Sequence, residues 1–152
     1  MKALRFRRAK HADLQAIVAL LADDDLARER ESTDWAAMPA YEAAFERIDA
    51  GPGGIFVGEL DGRIVAIYQL AIVPVLSYGG TVGAHLHDVR VASDLRGQGL
   101  GAELVADAEE RARGLGCQHL SLTSNNARTR AHRFYERNGY LKTRVGFRKP
   151  LE

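Results

Sequence analysis

The chain has 152 residues, the size of a single typical domain, and 46% of them are hydrophobic. Its one cysteine, Cys117, excludes an internal disulfide framework and favours a reducing, cytoplasmic location. The first residues lack the apolar stretch of a secretory signal, and no apolar run is long enough to cross a bilayer. We therefore expect one soluble domain covering residues 1–152.

The net charge is only +1, but the charges are unevenly distributed. Between Ala127 and Lys149, eight lysines and arginines stand against one acid, Glu136. Such a run is typical either of a solvated helix face followed by an edge hairpin or of a basic wall beside a polyanionic ligand. No aromatic stacking pattern or recognition motif accompanies the run, so nucleic acid is disfavoured as a partner.

Hydrophobic periodicity predicts one mixed α/β sheet with helices on both faces. The dipeptide Asp61-Gly62 predicts a tight hairpin between two of its strands. The predicted strands are Leu4–Arg8, Ile55–Leu60, Arg63–Ile72, His85–Val91, His119–Thr123, Tyr140–Lys142 and Val145–Arg148. The predicted helices begin at Asp13, at about Pro39, at Gly99 and at Ala127.

A glycine-rich segment, Arg96-Gly97-Gln98-Gly99-Leu100-Gly101, follows a predicted strand and opens a predicted helix. Glycines let a backbone approach a ligand closely, and the N–H groups at a helix start bind anions. The segment therefore indicates either a phosphate-binding loop or a tight connection without a ligand. A dinucleotide fingerprint fits only formally, because the next strand has no acidic residue for the ribose, and the Gly-Lys-Ser/Thr of a P-loop is absent.

Arg96, Gly99 and Gly101 match the pattern Arg/Gln-x-x-Gly-x-Gly/Ala. About 35 residues later comes the string Phe134-Tyr135-Glu136-x-x-Gly139-Tyr140. With these two motifs in this order, the sequence resembles the GNAT superfamily of acyl-CoA-dependent N-acetyltransferases over nearly its whole length. The resemblance implies an α/β (α+β) fold with a mostly antiparallel central sheet, helices on both faces and two middle strands that splay apart.

The resemblance also implies acetyl-CoA as co-substrate and no metal. Its pyrophosphate would bind the backbone amides of the glycine loop, which are those of Arg96, Gly97, Gln98, Gly99, Leu100, Gly101 and Ala102. Its pantetheine arm would pair with the backbone of the preceding strand at Val89 and Val91. Asn125 and Arg128 would also contact the cofactor. Arg128 stands where the family most often has Asn, seven residues before the tyrosine, and an exposed salt bridge is the other interpretation of this arginine.

Two residues are implied in catalysis. Tyr135 matches the family tyrosine that protonates the departing thiolate or hydrogen-bonds to it; a phenol is a weaker acid than a thiol, so stabilising the charge on sulfur would be its main effect. His87 aligns with the glutamate that many members use as general base, and imidazole titrates near neutral pH. The alternatives are that Tyr135 is a core aromatic and that His87 only lines a cleft.

The alternation of the predicted strand His85–Val91 decides which way its polar side chains point. His85 and His87 share one face of their strand, and Asp88 points the other way unless a bulge intervenes. A metal site at His-x-His is disfavoured because no third ligand lies nearby.

The expected function is the transfer of acetyl from acetyl-CoA to a primary amine by direct attack in a ternary complex. The alternative is a non-catalytic acyl-CoA-binding or regulatory module on the same fold. The sequence leaves the acceptor open between small molecules and peptides. We expect no membrane partner, and the terminal strands could support a homodimer.

Overall fold

The computed structural model describes residues 4–152. The chain divides into two compact units, one ending at Ser121 and one running from Leu122 to Glu152. One domain for the whole chain therefore stays a prediction. The elements are β1 Arg5–Arg8, α1 Leu14–Ala22, α2 Met38–Asp49, β2 Gly54–Leu60, β3 Arg63–Pro74, a short turn α3 Ser77–Gly80, β4 Val82–Val91, α4 Leu100–Gly114, β5 His119–Leu122 and α5 Thr129–Arg137.

The strands of the described chain form one five-stranded sheet in the order β1-β2-β3-β4-β5. The first three pairings are antiparallel. The predicted hairpin joins β2 and β3, and both of its turn residues, Asp61 and Gly62, have positive φ values of 52° and 80°. Positive φ at both positions is the geometry of the two-residue turn that Asp-Gly favours. The mostly antiparallel sheet that the sequence predicted is confirmed.

Both faces of the sheet are covered. Four consecutive residues of β3, Val65–Tyr68, are buried, and successive side chains of a strand point to opposite faces. On one face the Tyr68 hydroxyl donates a 2.5 Å hydrogen bond to Asp107 of α4. The Tyr68 ring also stacks on Phe56, at a centroid distance of 5.2 Å. Burial and the adjacent Asp107 carboxylate raise the pKa of Tyr68 well above its ordinary value.

Strand β1 is tied to its surroundings by Arg7. The Arg7 guanidinium donates to Asp13 at 2.7 Å and to Glu59 on β2 at 2.7 Å. The Asp13 carboxylate also accepts the Lys10 N–H at 2.7 Å, so it closes the turn before α1. Hydrogen bonds from Arg7 hold the pKa of Asp13 below its usual value. Asp13 is the N-cap residue of α1 but makes no side-chain capping bond to it.

The predicted final strand pair is wrong. Across residues 138–152 the structure assigns no strand, and every residue from Leu141 to Glu152 is exposed. A strand is defined by a hydrogen-bonded partner, and alternating apolar residues alone do not supply one. The alternation in this segment is real, but the second unit, residues 122–152, supplies no paired strand for it.

Candidate active site

A β-bulge interrupts β4 in the middle of the predicted site. In the register with β3, Gln69 faces His87 and Ile67 faces Arg90, so Tyr68 alone stands opposite both Asp88 and Val89. Asp88 has φ 54°, a left-handed value that is uncommon outside glycine. The bulge anticipated as an exception in the sequence is therefore present. Because of the bulge, the residues of β4 that follow it lie on the opposite face from the one that regular alternation counted from His87 would give them.

Strand β4 extends beyond β5. The Gln118 N–H donates to the carbonyl of Val82 at 2.9 Å, and Ser121 lies beside His85, so the two strands run in the same direction. Helix α4 makes the crossover that a parallel pair requires. Strand β5 ends at Leu122, whereas β4 continues to Val91. Val89 and Val91, both half-buried, therefore lie past the end of the shorter strand.

The glycine loop has the backbone that an anion cradle requires. Gly97 and Gly99 have φ values of 78° and 86°. Gly99 is the N-cap of α4, and its carbonyl accepts the N–H groups of Ala102 and Glu103. The N–H groups of Leu100 and Gly101 come before these two bonded amides, and at a helix start such groups are available to an anion. The loop from Arg96 to Gly99 is exposed, and Leu100 anchors the helix in the core.

The Arg96 side chain already makes hydrogen bonds within the protein. Its guanidinium donates to the carbonyl of Val91 at 3.1 Å and to that of Asp23, just after α1, at 2.6 Å. The Asp23 carboxylate in turn accepts the Ser93 N–H at 2.9 Å. The side chain of Arg96 thus braces the loop against the end of α1. The Arg96 backbone N–H, which the resemblance assigns to the cofactor, donates to the Ser93 carbonyl at 3.5 Å.

The two histidines of β4 lie side by side, with ring centroids 4.4 Å apart. His87 is exposed, whereas His85 is half-buried and its Nδ1 lies 3.1 Å from Ser121 Oγ on β5. The Ser121 hydroxyl lies 3.4 Å from the carbonyl of Ala84 and donates to it. Ser121 Oγ therefore accepts the Nδ1–H of His85, which leaves Nε2 as the basic atom. Burial first, and the neighbouring His87 second, lower the pKa of His85.

In the second unit, a compact turn begins α5. The Asn125 side-chain oxygen accepts the Ala127 N–H at 2.9 Å, and the Asn125 carbonyl accepts the Arg128 N–H at the same distance. His132 Nε2 lies 2.9 Å from that carbonyl as well. Arg128 occupies the N-cap position of α5. Asn125 and Arg128, which the resemblance assigned to cofactor binding, thus shape the start of this helix.

Tyr135 lies on the last turn of α5 and is half-buried. Its ring packs edge to face on Phe134, at a centroid distance of 5.2 Å. The first unit therefore brings together His87, Val89, Val91 and the glycine loop on one continuous stretch of chain. The second unit holds Tyr135, Asn125 and Arg128 on one short helix and the turn before it.

Sequence reasoning missed the roles of Ser121 and Asp23. Ser121 fixes the tautomer of His85, and Asp23 anchors the glycine loop. No motif marks either residue, because each acts through a contact between segments distant in sequence. Among the described residues, no group of three or more side chains could hold a metal ion. Within residues 4–152, no helix has the length and apolarity to span a membrane.

A family model described as the Acetyltransferase (GNAT) family matches residues 14–140. This match covers most of the chain, and the chain therefore belongs to the GNAT acetyltransferase family. Its five-stranded, mostly antiparallel sheet with flanking helices is the fold of that family.

Two curated relatives are amine acetyltransferases. The aminoalkylphosphonate N-acetyltransferase of Salmonella typhimurium is 35% identical over 91 residues, 60% of this chain and 58% of that protein. The glucosamine 6-phosphate N-acetyltransferase of Trypanosoma brucei brucei is 36% identical over 86 residues, 57% of this chain and 56% of that protein. Each match thus spans less than two thirds of the relative.

Solved structures are similar to this chain over almost its whole length. The transcriptional regulator from Bacillus halodurans C-125 is 35% identical and covers 97% of this chain and 99% of its own, with a TM-score of 0.93.

Proposed function

We propose that the protein transfers the acetyl group of acetyl-CoA to a primary amine in the cytoplasm, by direct attack within a ternary complex. The observation that carries the proposal is the continuous stretch from His87 to Ala102. There a bulged strand extends past its neighbour and leads, through the 3-10 turn Ser93–Leu95, into a positive-φ glycine loop at the start of α4. Such a stretch offers an edge for an extended amide-bearing ligand and N–H groups for a phosphate.

The glycine loop fits a pyrophosphate for two reasons. An ideal Cβ built on Gly99 would meet no protein atom within 4 Å, so the space in front of this backbone is open to a ligand. The amides of the first turn of α4 then supply donors where a negative charge is most stabilised. The pantetheine arm is assigned to the backbone N–H groups of Val89 and Val91, because their carbonyls accept hydrogen bonds from the guanidinium groups of Arg90 and Arg96.

The chemistry requires one base and one stabiliser of the leaving group. The lone pair of the amine attacks the thioester carbonyl carbon, and collapse of the resulting intermediate breaks the C–S bond with the electron pair moving to sulfur. His87 accepts the proton that the attacking nitrogen loses. Tyr135 hydrogen-bonds the departing thiolate and completes proton transfer to it late in the step.

His85 supports His87 as the base. Because the His85 Nδ1–H is held by Ser121 and its pKa is lowered, His85 stays neutral near pH 7. A neutral His85 places no positive charge beside the His87 ring. The exposed position of His87 lets that proton pass on to water.

An acceptor panel with acetyl-CoA tests the proposal. The panel opens with aminoalkylphosphonates and glucosamine 6-phosphate, the acceptors in the names of the two curated relatives, and continues with peptides, polyamines and aminoglycosides. We expect release of free CoA thiol and an N-acetylated product identified by mass spectrometry. If acetyl-CoA binds in calorimetry but no amine is acetylated, the proposal that the protein is an acetyltransferase is rejected.

Binding of acetyl-CoA without transfer to any amine is the result that a non-catalytic regulatory module predicts. One observation favours this alternative: the Bacillus halodurans structure, 35% identical, carries the name of a transcriptional regulator. Because phosphate contacts make nucleic-acid binding steeply salt-dependent, DNA titrations at several salt concentrations separate a direct DNA role from acyl-CoA sensing.

A further inference from the structure

The turn that leads from β4 into the glycine loop is held at both ends by one residue, Asp23. The Asp23 carboxylate accepts the N–H of Ser93, where the turn begins, at 2.9 Å. The Asp23 carbonyl accepts the guanidinium of Arg96, which directly follows the turn, at 2.6 Å. Asp23 itself is fixed, because it is the C-cap of α1 and its N–H donates to the carbonyls of Ala19 and Leu20. The end of a packed helix therefore supports the glycine loop.

The next residue, Asp24, attaches the same helix end to β4. Its side chain is only 8% exposed, and its carboxylate accepts the Leu26 N–H at 2.9 Å and lies 3.5 Å from Arg90 Nε. Arg90 lies on β4, just before the turn. Asp24 and Asp23 thus join the end of α1 to the chain before the turn and after it, so the path of residues 90–96 is fixed relative to this helix.

An ion pair also reaches the turn from β3, but it holds the turn less firmly. The Arg63 guanidinium donates two hydrogen bonds to Asp94, at 2.8 and 3.0 Å. Both side chains are more than half exposed, and an exposed pair that must order a long side chain contributes little. Asp23 instead reaches the turn with a short side chain from a helix end, and its carboxylate bonds the backbone directly. The shape of the turn therefore depends most on Asp23.

We propose that Asp23 is a positioning residue for acetyl-CoA: it fixes the glycine loop in its binding shape before the cofactor arrives, without touching the cofactor. This inference rests on the proposed function, which assigns the pyrophosphate to the loop. Gly97 and Gly99 lie at positive φ, and glycine loses more conformational freedom on ordering than any other residue. A loop that became ordered only on binding would lower affinity by that entropy. Because the bonds of Asp23 order the loop during folding, an incoming phosphate meets N–H groups that are already in place.

Calorimetry with CoA, on variants of the full chain, tests the role of Asp23. Asp23→Ala should raise the CoA dissociation constant about tenfold, within the usual range of coupling between two sites. Asp23→Asn should bind CoA nearly as tightly as the unmodified protein, because its amide oxygen still accepts the Ser93 N–H. The matched control is Asp25→Ala, which removes the same charge from a neighbouring side chain that is 93% exposed. This control should leave CoA affinity unchanged.

Kinetics and hydrogen exchange distinguish positioning from a general loss of structure. In Asp23→Ala we expect KM for acetyl-CoA to rise while kcat at saturation is retained, because the bonds of Asp23 act on binding rather than on chemistry. In the unmodified protein without ligand, the Ser93 amide should already be protected from exchange. The exchange measurement needs no variant, so it decides the proposal even where a variant fails to fold.

The proposal is overturned if Asp23→Ala binds CoA as tightly as the unmodified protein, or if Asp23→Asn or Asp25→Ala loses as much affinity as Asp23→Ala. In the last two cases the charge, rather than the hydrogen bond to Ser93, would determine affinity. A Ser93 amide that is protected only after CoA is added would also overturn it, since the cofactor would then order the loop. If the unmodified protein binds no CoA at all, the proposed function itself fails, and this inference fails with it.

Discussion

Tyr135 and Tyr140 pack edge to face, with ring centroids 5.7 Å apart and ring planes at 71°. Their backbones are joined as well: the Tyr140 N–H donates to the Tyr135 carbonyl at 3.0 Å, and the Gly139 N–H donates to that of Glu136 at 3.1 Å. With Gly139 at φ 87°, this is a Schellman helix end, and the ring pair is its hydrophobic contact. The spacing of Tyr135, Gly139 and Tyr140 therefore has a structural cause in addition to the catalytic one that we propose.

Tyr135→Phe separates these two causes. The ring and its contact with Tyr140 survive, while the hydroxyl is lost. Because a hydroxyl aimed at sulfur acts only as the C–S bond breaks, we expect kcat to fall by about 10²-fold or more with little change in acetyl-CoA affinity. Steady-state kinetics with several amines measures this. The matched control is Tyr140→Phe, which should retain kcat; equal activity in both variants would make Tyr135 a packing residue.

Gly99→Val should abolish CoA binding. A branched side chain would occupy the open space before the loop and strain a backbone at φ 86°. Gly62→Val is the matched control, because Gly62 has φ 80° and open space around its Cβ position in the β2–β3 hairpin. Both variants should lose about 1–2 kcal/mol of stability from the left-handed backbone. Calorimetry should show a loss of CoA affinity for Gly99→Val alone. If the two variants bind CoA with equal affinity, the glycine loop is not part of the binding site.

His87→Ala should flatten the acid limb of the pH–rate profile. With His87 as base, kcat/KM rises with pH as its ring loses a proton, and alanine removes that inflection without altering CoA affinity. His11→Ala serves as control, since His11 lies beside Glu42 of α2, away from β4. A profile that keeps its inflection in the variant would transfer the role to His85, Asp88 or water.

His85 should make stability depend on pH. A histidine whose pKa is lowered by folding binds fewer protons in the native than in the unfolded state, so stability rises with pH across the interval below about 6.5. The contribution is complete above that value and is lost as the pH falls through the lowered pKa. His85→Gln should reduce this slope in a series of Tm measurements. The groups facing His85 are His87 on its own strand and Ser121 on β5. An unchanged slope would show that His85 does not titrate there.

Tyr68→Phe should destabilise the sheet against α4. The Tyr68 side chain is fully buried, and its hydroxyl donates to the Asp107 carboxylate, which Arg111 also contacts at 2.7 Å. Hydrogen bonds to charged groups contribute about 1.5–3 kcal/mol, and we expect a loss in that range by chemical denaturation. The exposed Tyr78→Phe should change stability by less than about 0.5 kcal/mol. Similar losses in both variants would contradict a specific role of the Tyr68 hydroxyl.

Local sequence signals predicted the parts of the fold that depend on neighbouring residues. The Asp61-Gly62 turn and the helix start at Gly99 each rest on backbone preferences of one or two residues. The brace from Arg96 to Asp23 and the bond from His85 to Ser121 could not be predicted, because they join residues 73 and 36 positions apart. The failed strand pair at the C-terminus has the right alternation, but pairing is a property of two segments rather than one.

The bulge at Asp88 lets β4 hold one residue more than the strand beside it. Because Tyr68 stands opposite two residues, Arg90 shares the face of His87, and its guanidinium reaches Asp24 with 3.5 Å between the closest atoms. Deleting Asp88 would leave Val89 alone opposite Tyr68, while Arg90 would still lie opposite Ile67 and Val91 opposite Ala66. The residues after the bulge would keep their faces, so the extra residue lengthens the chain between His87 and the glycine loop without turning the strand over. A single deletion here should therefore preserve the packing of β4 and shorten its reach toward the loop by one residue.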